Sequence, residues 1–99
     1  GEIPMFARIT RYKMKPESHD AATGMLNSLR DQIMGMPGMH NFVNVMNADG
    51  SGCVISVVES EESSNANAER VAALWSNFSE YLEGPPAAEG FDVIANWAN

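Results

Sequence analysis

Residues 5–14, Met-Phe-Ala-Arg-Ile-Thr-Arg-Tyr-Lys-Met, alternate with a period of two, which predicts a strand. Phe6, Arg8, Thr10, Tyr12 and Met14 share one side, and Ala7, Ile9, Arg11 and Lys13 share the other. Neither side is cleanly polar, so both faces are expected to be at least partly covered. Lys15-Pro16-Glu17-Ser18 closes this strand and opens a helix. Proline stops a strand but is tolerated at a helix start, and Glu17 and Asp20 suit its positive end. Ala22, Met25, Leu26, Leu29, Ile33 and Met36 then recur at helical spacing, until Pro37-Gly38 ends the run.

Residues 39–46 and 53–58 are two β-type runs around Asn47-Ala-Asp-Gly-Ser-Gly52, which marks a hairpin. In the first run His40, Phe42, Asn44 and Met46 are expected on one side, with Asn41, Val43 and Val45 on the other. The second run is apolar on both sides. Residues 59–65 are small and polar, suited to capping a second helix over about residues 65–82, whose apolar stripe is Val71, Leu74, Trp75, Phe78 and Leu82. Gly84-Pro85-Pro86 stops it. Residues 87–90 read as a loop and residues 91–97 as a fourth strand.

The order β-α-β-β-α-β predicts a single α+β domain over residues 1–99, ferredoxin-like, with a four-stranded antiparallel sheet and two helices on one face. Two helices cover only one face, and the other still carries apolar side chains. The economical solution is a homodimer packed sheet to sheet, with Trp97 at that contact.

Charge narrows the choice of partner. The 99 residues carry 13 acidic and 6 basic side chains, a net charge of −7, which argues against nucleic acid and anionic membranes. Arg8, Arg11, Lys13 and Lys15 all lie on the first strand or at its end. They are expected to pair across strands, with Glu59 or Asp92, or else to anchor a small anionic ligand. No apolar run approaches the roughly 20 residues of a membrane span, and the start has no signal layout, so a cytoplasmic protein is expected. Cys53 is the single cysteine and reads as a buried thiol. Two histidines and one cysteine give no zinc-type spacing, and Asp49-Gly50-Ser51-Gly52 leads into a strand rather than a helix. No metal or cofactor is expected.

Arg11-Tyr12-Lys13-Met14-Lys15-Pro16 resembles the strand-to-helix junction of the dimeric α+β barrel superfamily, in particular the antibiotic biosynthesis monooxygenase-like domains. Pro37-Gly38 before the second strand, and a hairpin ending in Val57-Val58-Glu59, resemble the same group. The resemblance covers nearly the whole chain by element order. It implies dimers whose sheets face each other and, in several members, a small-molecule pocket between sheet and helices. Activities in the superfamily include cofactor-free oxygenation of polycyclic phenols, haem degradation, isomerisation and simple binding. Haem-degrading members use an Asn on the first strand with a Trp and a His on the second helix. Here the first strand offers Thr10 or Arg11, and the second helix has Trp75 without a His, so that chemistry is not expected.

Four residues are candidates for function. His40 is the best general base by residue type, since imidazole exchanges protons near neutral pH; a half-exposed strand start is its structural alternative. Trp75 lies on the apolar stripe of the second helix, where it serves the core or lines a pocket. Tyr12 and Asn44 are polar groups among apolar neighbours and need partners if buried, a ligand being one such partner. Two readings follow. One is a cofactor-independent monooxygenase acting on a small aromatic substrate, with His40 removing a phenolic proton. The other is a non-catalytic small-molecule binder or structural dimer.

Overall fold

The computed structural model describes residues 3–99. Strand β1, Phe6–Lys13, runs between β3, Ser51–Val58, on one side and β4, Ala87–Asp92, on the other. Strand β2, Met39–Met46, pairs with β3, so the antiparallel sheet has the order β2-β3-β1-β4. Between β1 and β2 lie a 3-10 turn at Pro16–Ser18, then α1, His19–Ser28, and α2, Arg30–Met34. Between β3 and β4 lie α3, Glu61–Ala66, and α4, Ala68–Ser76. The β-α-β-β-α-β expectation therefore holds, with each helical stretch broken in two.

The first strand divides as its alternation requires. Phe6, Thr10, Tyr12 and Met14 are buried on the helix-covered side. Tyr12, Met14, Leu29, Ile33, Met36 and Phe78 belong to one buried cluster between sheet and helices. The opposite side of the sheet carries Ile9, Val43, Val45, Ile55, Val57 and Phe91, by the register of the three ladders. Val43, Val45 and Phe91 remain 49%, 48% and 46% exposed, so within one protomer this apolar face is uncovered.

Several element boundaries depart from the sequence reading. Residues 87–90 are strand rather than loop, and β4 ends at Asp92 instead of residue 97. The edge of β1 leaves backbone groups that need partners, and residues 87–92 satisfy them despite their small side chains. The last of these contacts is Val93 N–H to the Met5 carbonyl at 2.8 Å. The second helical stretch begins at Glu61, because the Ser60 side chain accepts from the Ser63 N–H at 3.1 Å and Glu61 and Glu62 fill the first turn. It ends at Ser76 instead of residue 82. There Ser76 and Asn77 side chains donate to the Ala73 carbonyl and compete with the backbone ladder. The chain then returns to the sheet through turns, with Lys15 N–H on the Tyr81 carbonyl and Glu83 N–H on the Lys13 carbonyl. Strand β3 starts at Ser51 and not at Cys53, so the hairpin turn is tighter than its polar sequence suggests.

The turn closes on Gly50. Its φ is +91°, and a Cβ there would strike the Met14 carbonyl, so glycine is required on two counts. Asp49 fixes the same turn by accepting from the Ser51 N–H at 2.9 Å and the Ser51 hydroxyl at 2.6 Å. These two bonds, the hydroxyl foremost, hold the Asp49 carboxyl below its ordinary value.

The basic residues of β1 are used locally. Arg11 pairs with Glu89 at 3.2 Å, rather than with Glu59 or Asp92, because β4 is set back along the chain. Lys13 meets Asp49 at 3.9 Å, and Lys15 caps the Glu80 carbonyl at 2.9 Å. Arg8 lies 5.2 Å from the centre of the Phe6 ring and donates to the Ser64 hydroxyl from Nη2 at 2.9 Å. That contact ties β1 to α3.

Candidate functional site

Tyr12 sits opposite Gly52 of β3. A Cβ on Gly52 would lie 2.8 Å from the Tyr12 hydroxyl oxygen and would strike the Val45 carbonyl. With no side chain there, the phenol lies across β3 and reaches β2. Its hydroxyl donates to Asn44 Oδ1 at 2.7 Å, with the Val45 carbonyl at 3.1 Å as a second acceptor. Trp75 of α4 packs on the other side of the ring, with centroids 5.9 Å apart and planes at 55°. Phe78 continues the cluster at 6.1 Å from Trp75, and Tyr81 at 6.4 Å from Phe78. Tyr12, Asn44 and Trp75 thus come together, with the buried Tyr12 hydroxyl bonded to the exposed Asn44 and the Tyr12 ring packed on half-buried Trp75.

Burial pushes the Tyr12 hydroxyl above the ordinary tyrosine value of 10.0, against the smaller lowering by the Asn44 hydrogen bond. Cys53 acts in the same direction as burial. The phenol is therefore a proton donor near neutral pH, and it does not serve as a base.

His40 lies elsewhere. Met39 pairs with Val58 and Asn41 with Val57, so His40 is the extra residue of a β-bulge. The bulge places Met39, in line with Phe42, Asn44 and Met46, on the helix-covered face, and breaks the expected His40–Phe42 alternation. His40 is exposed and lines a groove of about 370 Å³ between β2 and helices α1 and α2. Buried Ile33 and half-buried Leu26 and Phe42 form its apolar inside. Exposed His40, Asn27, Asn41 and Arg30 supply its polar margin. Tyr12, Asn44 and Trp75 do not line it.

A second groove, about 560 Å³, runs between α2 and α4 past Met36, Leu74 and Arg70. Asn67, only 3% exposed, organises its margin. The Asn67 amide donates to the Pro37 carbonyl at 2.9 Å, and its Oδ1 accepts from Arg70 Nη1 at 3.0 Å. The sequence does not mark Asn67 or Gly52 as site residues. An Asn in a predicted helix and a Gly in a turn-rich run carry no local sign of a distant contact.

Among the described residues no three of His, Cys, Asp and Glu gather closely enough to hold a metal ion. No helix among them is long and apolar enough to cross a membrane. What the His40 groove can do is receive an apolar molecule of modest size, present an imidazole to it, and offer amide and guanidinium donors at its margin.

No protein-family model and no curated protein matches the sequence. Solved structures do match the fold. A protein of unknown function from Nitrosomonas europaea is 21% identical with a TM-score of 0.81, covering 100% of this chain and 98% of its own. A candidate antibiotic biosynthesis monooxygenase from the same organism is 12% identical with a TM-score of 0.79, over 95% of this chain and 94% of its own. Another candidate of that description, from Caulobacter crescentus, is 14% identical with a TM-score of 0.78, over 94% and 92%. At such identities the likeness establishes the fold and nothing finer.

Proposed function

We propose, for a chain with the antibiotic biosynthesis monooxygenase-like fold, that the protein is a homodimer in which each protomer binds one small, apolar aromatic molecule in the groove beside His40. The groove carries this reading. It joins an apolar interior at Ile33, Leu26 and Phe42 to an exposed imidazole, within a volume suited to one or two fused rings. The uncovered sheet face of Ile9, Val43, Val45 and Phe91 supports the dimer.

The reaction proposed for this groove is oxygenation of a phenol without metal or flavin. His40 takes the phenolic proton, and Arg30 at the margin favours the resulting phenolate. The electron-rich ring reacts with molecular oxygen. One oxygen atom enters the ring, the other leaves as water with two hydrogens from the substrate, and the product is a quinone. Names of structural neighbours favour this chemistry. The alternative is a non-catalytic binder at the same groove, and the Tyr12–Asn44–Trp75 cluster argues against a site in the sheet–helix layer. A ligand entering the layer there would have to part Tyr12 from Asn44.

Titration with 1-naphthol, followed by amide chemical shifts and by oxygen uptake, separates the readings. Shifts at residues 26–42 with oxygen uptake that is lost in His40→Ala support the oxygenase. The same shifts without uptake support the binder. Shifts confined to Tyr12, Asn44 and Trp75 move the site into the sheet–helix layer, and an absence of shifts rejects both.

A further inference from the structure

We propose that the groove between α2 and α4 is a second binding site, and that it takes a small carboxylate with a compact apolar body, held by Arg70. The inference does not rest on the His40 reading, because no residue lines both grooves. Helix α2 borders both, with Gln32 at this one and Arg30, Ile33 and Met34 at the other.

Charge identifies the occupant. Arg70 is the one charged side chain that lines the groove. Among the described residues it has no carboxylate partner, in a chain with 13 acidic residues. Asp31, on the neighbouring helix, faces Arg30 instead, at 4.0 Å. The guanidinium donates from Nη1 to Asn67 Oδ1 at 3.0 Å, and Asn67 is itself buried and tied to the Pro37 carbonyl. Arg70 is therefore held by an anchored group, and that one bond leaves most of its N–H donors unspent.

The acceptors around it are already taken. The Pro37 carbonyl accepts from the Asn67 amide at 2.9 Å. The Asn77 amide donates to the Ala73 and Leu74 carbonyls, each at 3.2 Å, and the Ser76 hydroxyl donates to Ala73 as well. What the groove lacks is an acceptor for Arg70. A carboxylate supplies one, and its two oxygens match the planar fork of a guanidinium.

The rest of the lining calls for an apolar body. Buried Met36 and half-buried Leu74 form the floor, beside Ala73 and Pro37. The volume of about 560 Å³ falls within the roughly 300–1,000 Å³ usual for small-molecule sites. A bare inorganic anion would leave this floor in water, and a neutral apolar molecule would leave Arg70 unpaired. A carboxylate on one or two rings uses both.

The test is titration of the full chain with 1-naphthoate, ionised at pH 7, against the neutral 1-naphthamide, followed by amide chemical shifts. Naphthoate should shift residues 32–36 and 70–77, and should still do so when 1-naphthol is present at saturation. The amide should bind roughly tenfold more weakly, the loss expected when a charge-assisted hydrogen bond becomes a neutral one. Arg70→Gln should weaken naphthoate binding by a similar factor and leave naphthamide binding unchanged. Arg70 is exposed, so the thermal midpoint should hold in that variant. The comparison of the two ligands on the unaltered chain decides the matter even where the variant is unstable. Equal affinity for the two ligands, naphthoate shifts confined to residues 26–30 and 40–42, or no shifts at millimolar naphthoate would each overturn the proposal. Unchanged naphthoate affinity in a folded Arg70→Gln would overturn it as well.

Discussion

Tyr12 reaches Asn44 only because Gly52 stands between them without a side chain. The phenol crosses one strand to bond to the next, and Trp75 closes over it. Gly52→Ala should displace the ring from the Val45 and Asn44 side and cost about 1–3 kcal/mol, the range for overpacking a buried site. Urea denaturation checks this, and Tyr12→Leu in the same background should recover part of the loss by removing the clash.

Trp75 packs against Tyr12 and Phe78 but is only half-buried. Complete burial would put Trp→Ala at about 3–5 kcal/mol, so partial burial puts Trp75→Ala nearer about 2 kcal/mol. A loss of stability of that size with intact 1-naphthol binding would mark Trp75 as a packing residue. Unchanged stability with abolished binding would assign it to the ligand.

Stability should fall above pH 10 in a manner that depends on Tyr12. Its hydroxyl ionises at higher pH in the folded chain than the ordinary 10.0, so the folded state keeps a proton that the unfolded state has lost. That contribution is complete below the unfolded value and disappears as pH rises through the folded one. The urea midpoint of Tyr12→Phe should decline less steeply across this window than that of the parent.

Asn67 holds two segments together with one buried side chain, through the Pro37 carbonyl and the Arg70 guanidinium. Asn67→Ala leaves the Pro37 carbonyl without its donor and should cost about 1–3 kcal/mol. Amide exchange should rise first at the Pro37–Gly38 turn, where the contact is lost.

His40 is exposed on a bulge, so His40→Ala should change stability by less than about 0.5 kcal/mol. Under the oxygenase reading, uptake with 1-naphthol should be abolished while the thermal midpoint stays put. Retained uptake would remove His40 as the base.

Periodicity revealed most of the architecture because each element has one buried side. Phe6, Thr10, Tyr12 and Met14 alternate, and Leu29, Ile33 and Met36 recur, for that reason alone. Residues 87–90 read as a loop because their strand is imposed by the free edge of β1, not by side chains that favour it. The helix end at Ser76 was hidden in the same way: the apolar stripe runs on to Phe78 and Leu82, but those residues reach the core from turns. At the candidate sites, residue type pointed to Tyr12, Asn44, Trp75 and His40. It could not show that three of them meet across Gly52 while a one-residue bulge sets His40 apart. Such juxtapositions depend on register, which a local pattern does not encode.

The most direct measurement is a crystal structure of the full chain soaked with 1-naphthol at saturating concentration. One molecule per protomer is expected in the groove, its ring against Ile33 and Phe42 and its oxygen within hydrogen-bonding reach of the His40 imidazole, with the Tyr12–Asn44 bond intact. A molecule bound beside Trp75 with that bond broken, or an empty His40 groove, would contradict the proposed site.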